Sequence, residues 1–202
     1  AGVRLDGPRA EIESMAWSAD GKALVAGGDD GAVWSWDPET ARGTRVATLA
    51  TQANAVWTDG ARVLALEEAG NVHAWRLDDG AHRAEPVVRT RVTAKTGVFS
   101  PDGTRLVIGG ADGRVALVRD GEVEVIAAHA DQVRAVAMAR AGDLVATGAD
   151  DGTLRVRDRR TGRALVLSGH TQRVRQLAFV GDGAELLSID SAGEARRWEL
   201  GA

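Results

Sequence analysis

Apolar positions in this chain fall in short runs, and polar turn residues part them at even intervals. Met15-Ala16-Trp17, Leu24-Val25-Ala26 and Val33-Trp34-Ser35-Trp36 are separated by Asp20-Gly21 and Asp30-Gly31. The pattern returns as Gly97-Val98-Phe99, Leu106-Val107-Ile108 and Val115-Ala116-Leu117-Val118, separated by Asp102-Gly103 and Asp112-Gly113. Short runs rich in Val, Leu and Trp and bounded by Gly or Asp predict strands. A helix needs apolar residues at i, i+3, i+4 and i+7 over ten or more residues, and no gap between turns has room for that. Asp-Gly between apolar runs is a strong hairpin signal, because glycine accepts positive φ without steric cost.

The turns form two series. Asp20-Gly21, Asp59-Gly60, Asp102-Gly103, Ala141-Gly142 and Asp182-Gly183 make the first. Asp30-Gly31, Ala69-Gly70, Asp112-Gly113, Asp151-Gly152 and Ala192-Gly193 make the second, ten residues on. Both advance by 39, 43, 39 and 41 residues. A fixed period near 40 is one supersecondary unit copied five times. A fourth apolar run closes most units, as in Arg45-Val46-Ala47-Thr48-Leu49, Glu85-Pro86-Val87-Val88, Val123-Glu124-Val125-Ile126 and Ala164-Leu165-Val166-Leu167. Five units of four antiparallel strands predict an all-β, five-bladed β-propeller. Its blades lie at about 9–49, 50–91, 92–128, 129–168 and 169–202. The last unit ends after its third strand at Trp198-Glu199-Leu200. Residues 2–6 align with the fourth strand of the preceding unit, so the N-terminal segment is expected to complete the last blade and hide an open edge.

Composition narrows the classes. Across 202 residues the chain is 44% hydrophobic and 27% charged, with a net charge of −4. Nothing there draws it to nucleic acid or to an anionic membrane. There is no cysteine, hence no disulfide, thiolate metal site or sulfur nucleophile. No membrane span or signal peptide is visible, and a cytoplasmic location is expected. Only Lys22 and Lys95 are lysines among 25 basic residues, a skew that GC-rich bacterial codon usage produces. The chain begins with Ala1, which suggests a piece of something longer.

The unit resembles the WD40 repeat. The residues that carry the likeness are Val98-Phe99-Ser100-Pro101-Asp102-Gly103, Gly169-His170, Gly148-Ala149-Asp150-Asp151-Gly152-Thr153 and Trp36-Asp37. The resemblance implies a structural network within each blade: His before the first strand, Ser or Thr in the second, Asp at the second turn, Trp in the third. His129, Thr147 and Asp151 match three places, with Arg157 at the Trp position. His170, Ser188 and Trp198 match three, with Ala192 at the Asp position and Asp190 close by. The first unit keeps Asp30 and Trp36, the second Trp75, the third Asp112. On sequence, no unit shows the full set.

The same side chains also look like nucleophile–base–acid sets. A hydrolase would need an exposed nucleophile and oxyanion donors, and no Gly-x-Ser-x-Gly elbow is present. His73 and His82 have no ligand-spaced partner. Asp29-Asp30-Gly31, Asp78-Asp79-Gly80 and Asp150-Asp151-Gly152 lack the ligand series of a calcium loop. No cofactor or metal is implied. Arg155–Arg163 is the densest basic stretch, a solvated strand end or a contact for an acidic partner, without the aromatics that stack on bases.

What the resemblance implies is a non-catalytic interaction scaffold that binds a protein, a peptide or another domain of its own polypeptide. One form of this is the sensor domain of a larger bacterial signalling protein. The alternatives are a hydrolase and a fragment of a seven-bladed ring. In the repeat pattern, positions at the start of the first strand and before the second turn reach the face that engages partners. Here these are Glu11, Glu13, Asp29 and Glu68, then Gln132, Arg134, Asp150, Arg173, Arg175 and Ser191. Trp34, where such repeats carry a polar residue, is a further contact candidate.

Overall fold

A computed structural model of the chain describes residues 5, 7, 8, 10–77, 84–181 and 183–201. His82, Asp78-Asp79-Gly80 and Asp182 lie outside them, as do Val3 and Arg4 of the expected closing strand. The described residues form strands and turns, with no helix.

Each sheet is a meander whose strands pair in chain order. The first holds β1 (Ile12–Trp17), β2 (Leu24–Gly28), β3 (Ala32–Asp37) and β4 (Arg42–Thr48). The second holds β5 (Ala53–Thr58), β6 (Arg62–Glu67), β7 (Asn71–Arg76) and β8 (Ala84–Arg89). The third holds β9 (Ala94–Phe99), β10 (Arg105–Gly110), β11 (Arg114–Arg119) and β12 (Glu122–Ala128). The fourth holds β13 (Val133–Met138), β14 (Leu144–Ala149), β15 (Leu154–Asp158) and β16 (Ala164–Leu167). The fifth has three strands among the described residues, β17 (Val174–Val180), β18 (Glu185–Asp190) and β19 (Ala195–Glu199). Leu5, from the segment expected to complete it, packs against Leu24, Ala26 and Trp36 of the first sheet.

The chain divides into two compact units, residues 1–94 with 101–103, and residues 95–100 with 104–202. In each, the core is a layer between successive sheets. In the first unit Val25, Val33 and Val46 meet Val56, Val63 and Trp75. In the second, Val107, Val115 and Leu117 meet Val133 and Val145, while Ala146, Leu154 and Val156 meet Val174 and Leu186. Side chains alternate along a strand, so β14 feeds both of these layers, Val145 one and Ala146 the other. The opposite face of β1 carries Met15 and Trp17, 63% and 57% exposed.

The two turn series have different reasons for their glycine. All ten glycines have positive φ, between 69° at Gly103 and 96° at Gly60 and Gly183. In the second series a further constraint acts. The segment leaving each of the first three sheets runs back over this glycine: the Leu49, Thr90 and His129 N–H groups donate to the carbonyls of Gly31, Gly70 and Gly113, at 2.8, 3.0 and 2.9 Å. A Cβ on Gly113 would lie 2.5 Å from the His129 oxygen and 2.9 Å from the Asp131 oxygen.

A second regularity concerns the first strands. In β1, β5, β13 and β17 the pairing slips by one residue near the start. Glu13, Asn54, Arg134 and Arg175 are the extra residues. A bulge re-aims a side chain away from the regular alternation. Three of these four are candidate contact residues.

The glycine constraint is open to a direct comparison. Gly121, in the β11–β12 turn, has φ +79° with open space around its Cβ position. Gly121→Ala is expected to cost about 1–2 kcal/mol from backbone strain alone. Gly113→Ala, at φ +80° with the carbonyls against it, should cost clearly more. Denaturant unfolding of both variants measures the difference, and equal losses would remove the close approach as a cause.

Candidate functional site

The fifth sheet places four polar side chains in a chain of hydrogen bonds. His170, in the loop before β17, lies with Nε2 2.7 Å from the Ser188 Oγ in β18. Its Nδ1 lies 3.2 Å from the Asp190 Oδ2 at the end of β18. The Trp198 indole of β19 donates to the same Ser188 Oγ at 2.8 Å. Ser188, Asp190 and His170 are 1%, 3% and 7% exposed. The Asp place falls to Asp190 rather than to position 192, which corrects the expectation that no unit has the full set. The reason is local. The Asp190 Oδ1 accepts the N–H groups of Ala192 and Glu194, both at 2.9 Å, so one carboxylate holds the turn with one oxygen and the histidine with the other. Burial alone would raise the Asp190 carboxyl. The Glu194 and Ala192 N–H groups and the His170 ring outweigh it and hold the group below the ordinary carboxylate value.

The fourth sheet builds the related set differently. His129 Nε2 lies 2.8 Å from the Thr147 Oγ1, and Nδ1 lies 3.2 Å from the Thr153 Oγ1 and 3.5 Å from the Asp151 Oδ2. The Thr153 hydroxyl in turn donates to the Asp151 Oδ1 at 2.7 Å. Arg157 stands in β15 at the Trp position and offers no indole. Burial pushes the His129 ring down from its ordinary value, and the Asp151 carboxylate offsets part of this. Asp151, itself disfavoured as an anion by burial, is held low by the Thr153 hydroxyl and N–H and the Ala130 N–H.

The other network positions make different contacts among the described residues. Asp30 accepts the Ala32 N–H at 3.0 Å. Asp112 accepts the Arg114 N–H and pairs with that guanidinium on the surface. Trp36 is buried and stacks with Trp34 at 6.0 Å. Trp34 is thereby half-buried in its own sheet. Trp75 is buried and stacks with His73 at 5.7 Å. His73 Nε2 is 3.5 Å from the Glu67 carboxylate. Glu67 is 3% exposed and accepts from the Asn71 amide. Sequence reasoning passed over this buried carboxylate, for which a strand-end Glu gives no signal.

Chemically, Ser188, His170 and Asp190 stand in the order of a nucleophile, base and acid. The Ser188 oxygen is nonetheless enclosed and already receives the Trp198 N–H, an arrangement that stiffens a sheet rather than presenting a nucleophile. His170, Asp190 and Glu194 offer donor atoms within 4.8 Å of one another. Each is engaged: Nδ1 with Asp190, Nε2 with Ser188, and Glu194 with Arg196 at 2.6 Å.

The candidate contact positions are joined in pairs. In four sheets the residue before the second turn donates its N–H to the residue leading into the first strand. These bonds are Asp29 to Glu11, Glu68 to Gln52, Asp150 to Gln132 and Ser191 to Arg173, all at 2.9 Å. Within the first unit, Gln52 also donates to the Asp29 carboxylate. Glu11, Glu13 and Asp29 are exposed there, and Glu68 is half-buried. Within the second unit, Asp150 receives Arg134 through Nε at 3.0 and 3.1 Å and Nη2 at 3.0 Å. Arg173 Nε lies 4.0 Å from the same carboxylate. Arg173, Arg175 and Ser191 are exposed, Gln132 half-buried. Arg134 and Arg175 also edge a cavity of about 440 Å³ walled by Leu177, Leu187 and Ile189.

Two measurements probe the networks. His170→Ala leaves the buried Ser188 and Asp190 groups without a partner and should cost about 1–3 kcal/mol in denaturant unfolding. Asp112→Ala, at a solvated turn, should change little. Similar losses in the two would contradict the assignment of His170. The second test is pH. Below about pH 6.5 the unfolded chain takes up a proton on His129 that the folded chain resists, so stability should be full above that value and fall as the pH drops toward 5. His129→Gln should flatten part of that slope. An unchanged slope would show that the ring is not held neutral.

With this geometry in hand, comparison with known proteins is informative. The model of the WD domain, G-beta repeat (WD40) matches residues 3–37 and 121–158. A segment of 73 residues, 36% of this chain, is 36% identical to the target of rapamycin complex subunit wat1 of Schizosaccharomyces pombe. The match spans 23% of that protein's length. Antiparallel meanders at a period near 40 and His–Ser/Thr–Asp networks at sheet ends agree with these matches: two segments of the chain, residues 3–37 and 121–158, are similar to the WD40 repeat.

Proposed function

We propose that the chain is a non-catalytic protein-interaction scaffold whose contact surface is the rim where first strands begin and second turns end. The single observation that carries this is the repeated pairing of those positions by a backbone hydrogen bond, with a bulge residue beside it in four sheets. The framework recurs while the side chains change: Glu11, Glu13, Asp29 and Glu68 in the first unit, Gln132, Arg134, Asp150, Arg173, Arg175 and Ser191 in the second. A regular backbone with varied polar tips is a display surface. The first unit offers carboxylates there. The second offers three guanidinium groups against the Asp150 carboxylate, and Arg175 has no ion-pair partner among the described residues. Such charge sets orientation and on-rate more than affinity.

The partner is a protein or peptide, or another domain of the same polypeptide. WD40 chemistry and the wat1 likeness support a scaffold in a protein assembly. To the same reading belong five blades of one propeller, completed by the N-terminal segment, a cytoplasmic setting and service as a sensor domain in a bacterial signalling protein. Trp34, stacked on Trp36, is assigned to packing.

The test is association with a partner captured from the source cells. Arg173→Glu with Arg175→Glu should slow binding by about tenfold at low salt and flatten its salt dependence, with the unfolding midpoint unchanged. Unaltered rates would place the contact elsewhere. A fluorophosphonate probe should leave Ser188 unlabelled, and labelling would favour a hydrolase.

A further inference from the structure

A second polar site lies at the opposite ends of the strands, inside the second unit. The first and third turns of the third and fourth sheets converge there. Thr104 and Arg105 follow the β9–β10 turn, and Arg119 and Asp120 open the β11–β12 turn. Asp143 closes the β13–β14 turn, and Arg159 and Arg160 form the β15–β16 turn. Together they line a cavity of about 520 Å³. Four guanidinium groups face two carboxylates, so it carries an excess of two positive charges.

The engagement of these groups is uneven. Arg105 donates through Nη1 to the Gly142 carbonyl at 3.1 Å, which ties the third sheet's turn to the fourth's. Arg119 pairs with Asp120 through Nε at 3.1 Å. Arg159 is fixed at its backbone, its N–H donating to the Asp143 carbonyl at 2.9 Å. The Asp158 carboxylate accepts the Arg160 and Thr161 N–H groups at 2.8 and 3.1 Å and holds the same turn. Neither Arg159 nor Arg160 has an ion-pair partner among the described residues. Two guanidinium groups thus stand on one hydrogen-bonded turn at the edge of the concavity, with no ion pair of their own; Arg159 also borders a neighbouring cavity that Glu122 and Glu124 line.

We propose that this cavity binds a phosphorylated side chain of a protein partner. A phosphoryl group carries about −1.5 to −2 charge at neutral pH and three acceptor oxygens, which matches the excess charge and the paired forks of Arg159 and Arg160. A single carboxylate would leave one charge unmet. Asp120 and Asp143, set in the wall, repel a continuous polyanion, which disfavours nucleic acid and an anionic lipid surface. The inference is independent of the scaffold rim, because it concerns other residues and is read with a different ligand.

The experiment is a nuclear magnetic resonance titration of the full chain with a phosphoserine peptide, its unphosphorylated form and inorganic phosphate. The phosphopeptide should give saturable shifts at the Gly142, Asp143, Arg159 and Arg160 amides, and the unphosphorylated peptide none. Arg159→Glu with Arg160→Glu should weaken binding about tenfold or more. Arg45→Glu, a charge reversal on β4 away from the cavity, should leave it intact. Asp120→Asn, which removes a wall carboxylate, should tighten binding, so the proposal has a variant that gains. It is overturned if the phosphopeptide gives no saturable shift, if phosphate alone binds, or if Arg45→Glu weakens binding equally. Competition by phosphatidylserine vesicles at the same amides would overturn it too, in favour of a membrane.

Discussion

The step from one sheet to the next rests on a backbone contact in which no side chain takes part. The segment leaving each of the first three sheets donates an N–H to the carbonyl of the glycine after the second turn. That glycine must hold positive φ and also admit a carbonyl where a Cβ would stand. Only glycine meets both demands. Because the contact fixes where the next sheet begins, the apolar layer between sheets inherits its register. Val107, Val115 and Leu117 meet Val133 and Val145 because the chain between them is pinned at Gly113. At Gly193, the equivalent position of the fifth sheet, no described atom lies within 4 Å of where a Cβ would stand.

A second backbone regularity sits beside it. Four first strands pair one residue out of step with their neighbours, and a bulge absorbs the difference at Glu13, Asn54, Arg134 and Arg175. Asn54 turns inward and donates to the Ala94 carbonyl at 2.9 Å. Arg134 forks onto Asp150, and Arg175 stays exposed. The same backbone irregularity serves as a structural tie in one sheet and as displayed charge in another. Variation at one bulge position can therefore change the displayed charge without disturbing the ladder.

Strands and turns were legible because their causes are local. An Asp-Gly or Ala-Gly pair between apolar runs marks a hairpin turn, and the spacing of ten such sites carries the repeat. Asp190 was harder to read. Its role depends on a carboxylate reaching the N–H groups of Ala192 and Glu194, so aspartate serves equally well two residues before the family position. Aligning repeats by register hides that equivalence. Glu67 escaped notice because its burial comes from neighbours on β7, and the bulges because register belongs to two strands at once. The arginine cavity joins Arg105 and Arg119 to residues 40 or more positions on, a proximity that charge counting along a single run such as Arg155–Arg163 cannot supply.

The Ser188–His170–Asp190 order shows why a set of residues does not by itself define a reaction. A serine nucleophile needs one face of its oxygen open to substrate and a base free to receive the proton. Ser188 has instead a second partner beside His170, the Trp198 indole at 2.8 Å, and is 1% exposed. Each member of the set satisfies another, and a buried group left unmatched would cost about 1–3 kcal/mol, which is reason enough for the four to occur together. In the fourth sheet Arg157 replaces the indole, and the threonine hydroxyls of Thr147 and Thr153 take up both ring nitrogens of His129 instead. What the two sheets share is the full use of every buried polar atom in the set. That shared property belongs to a fastening between strands.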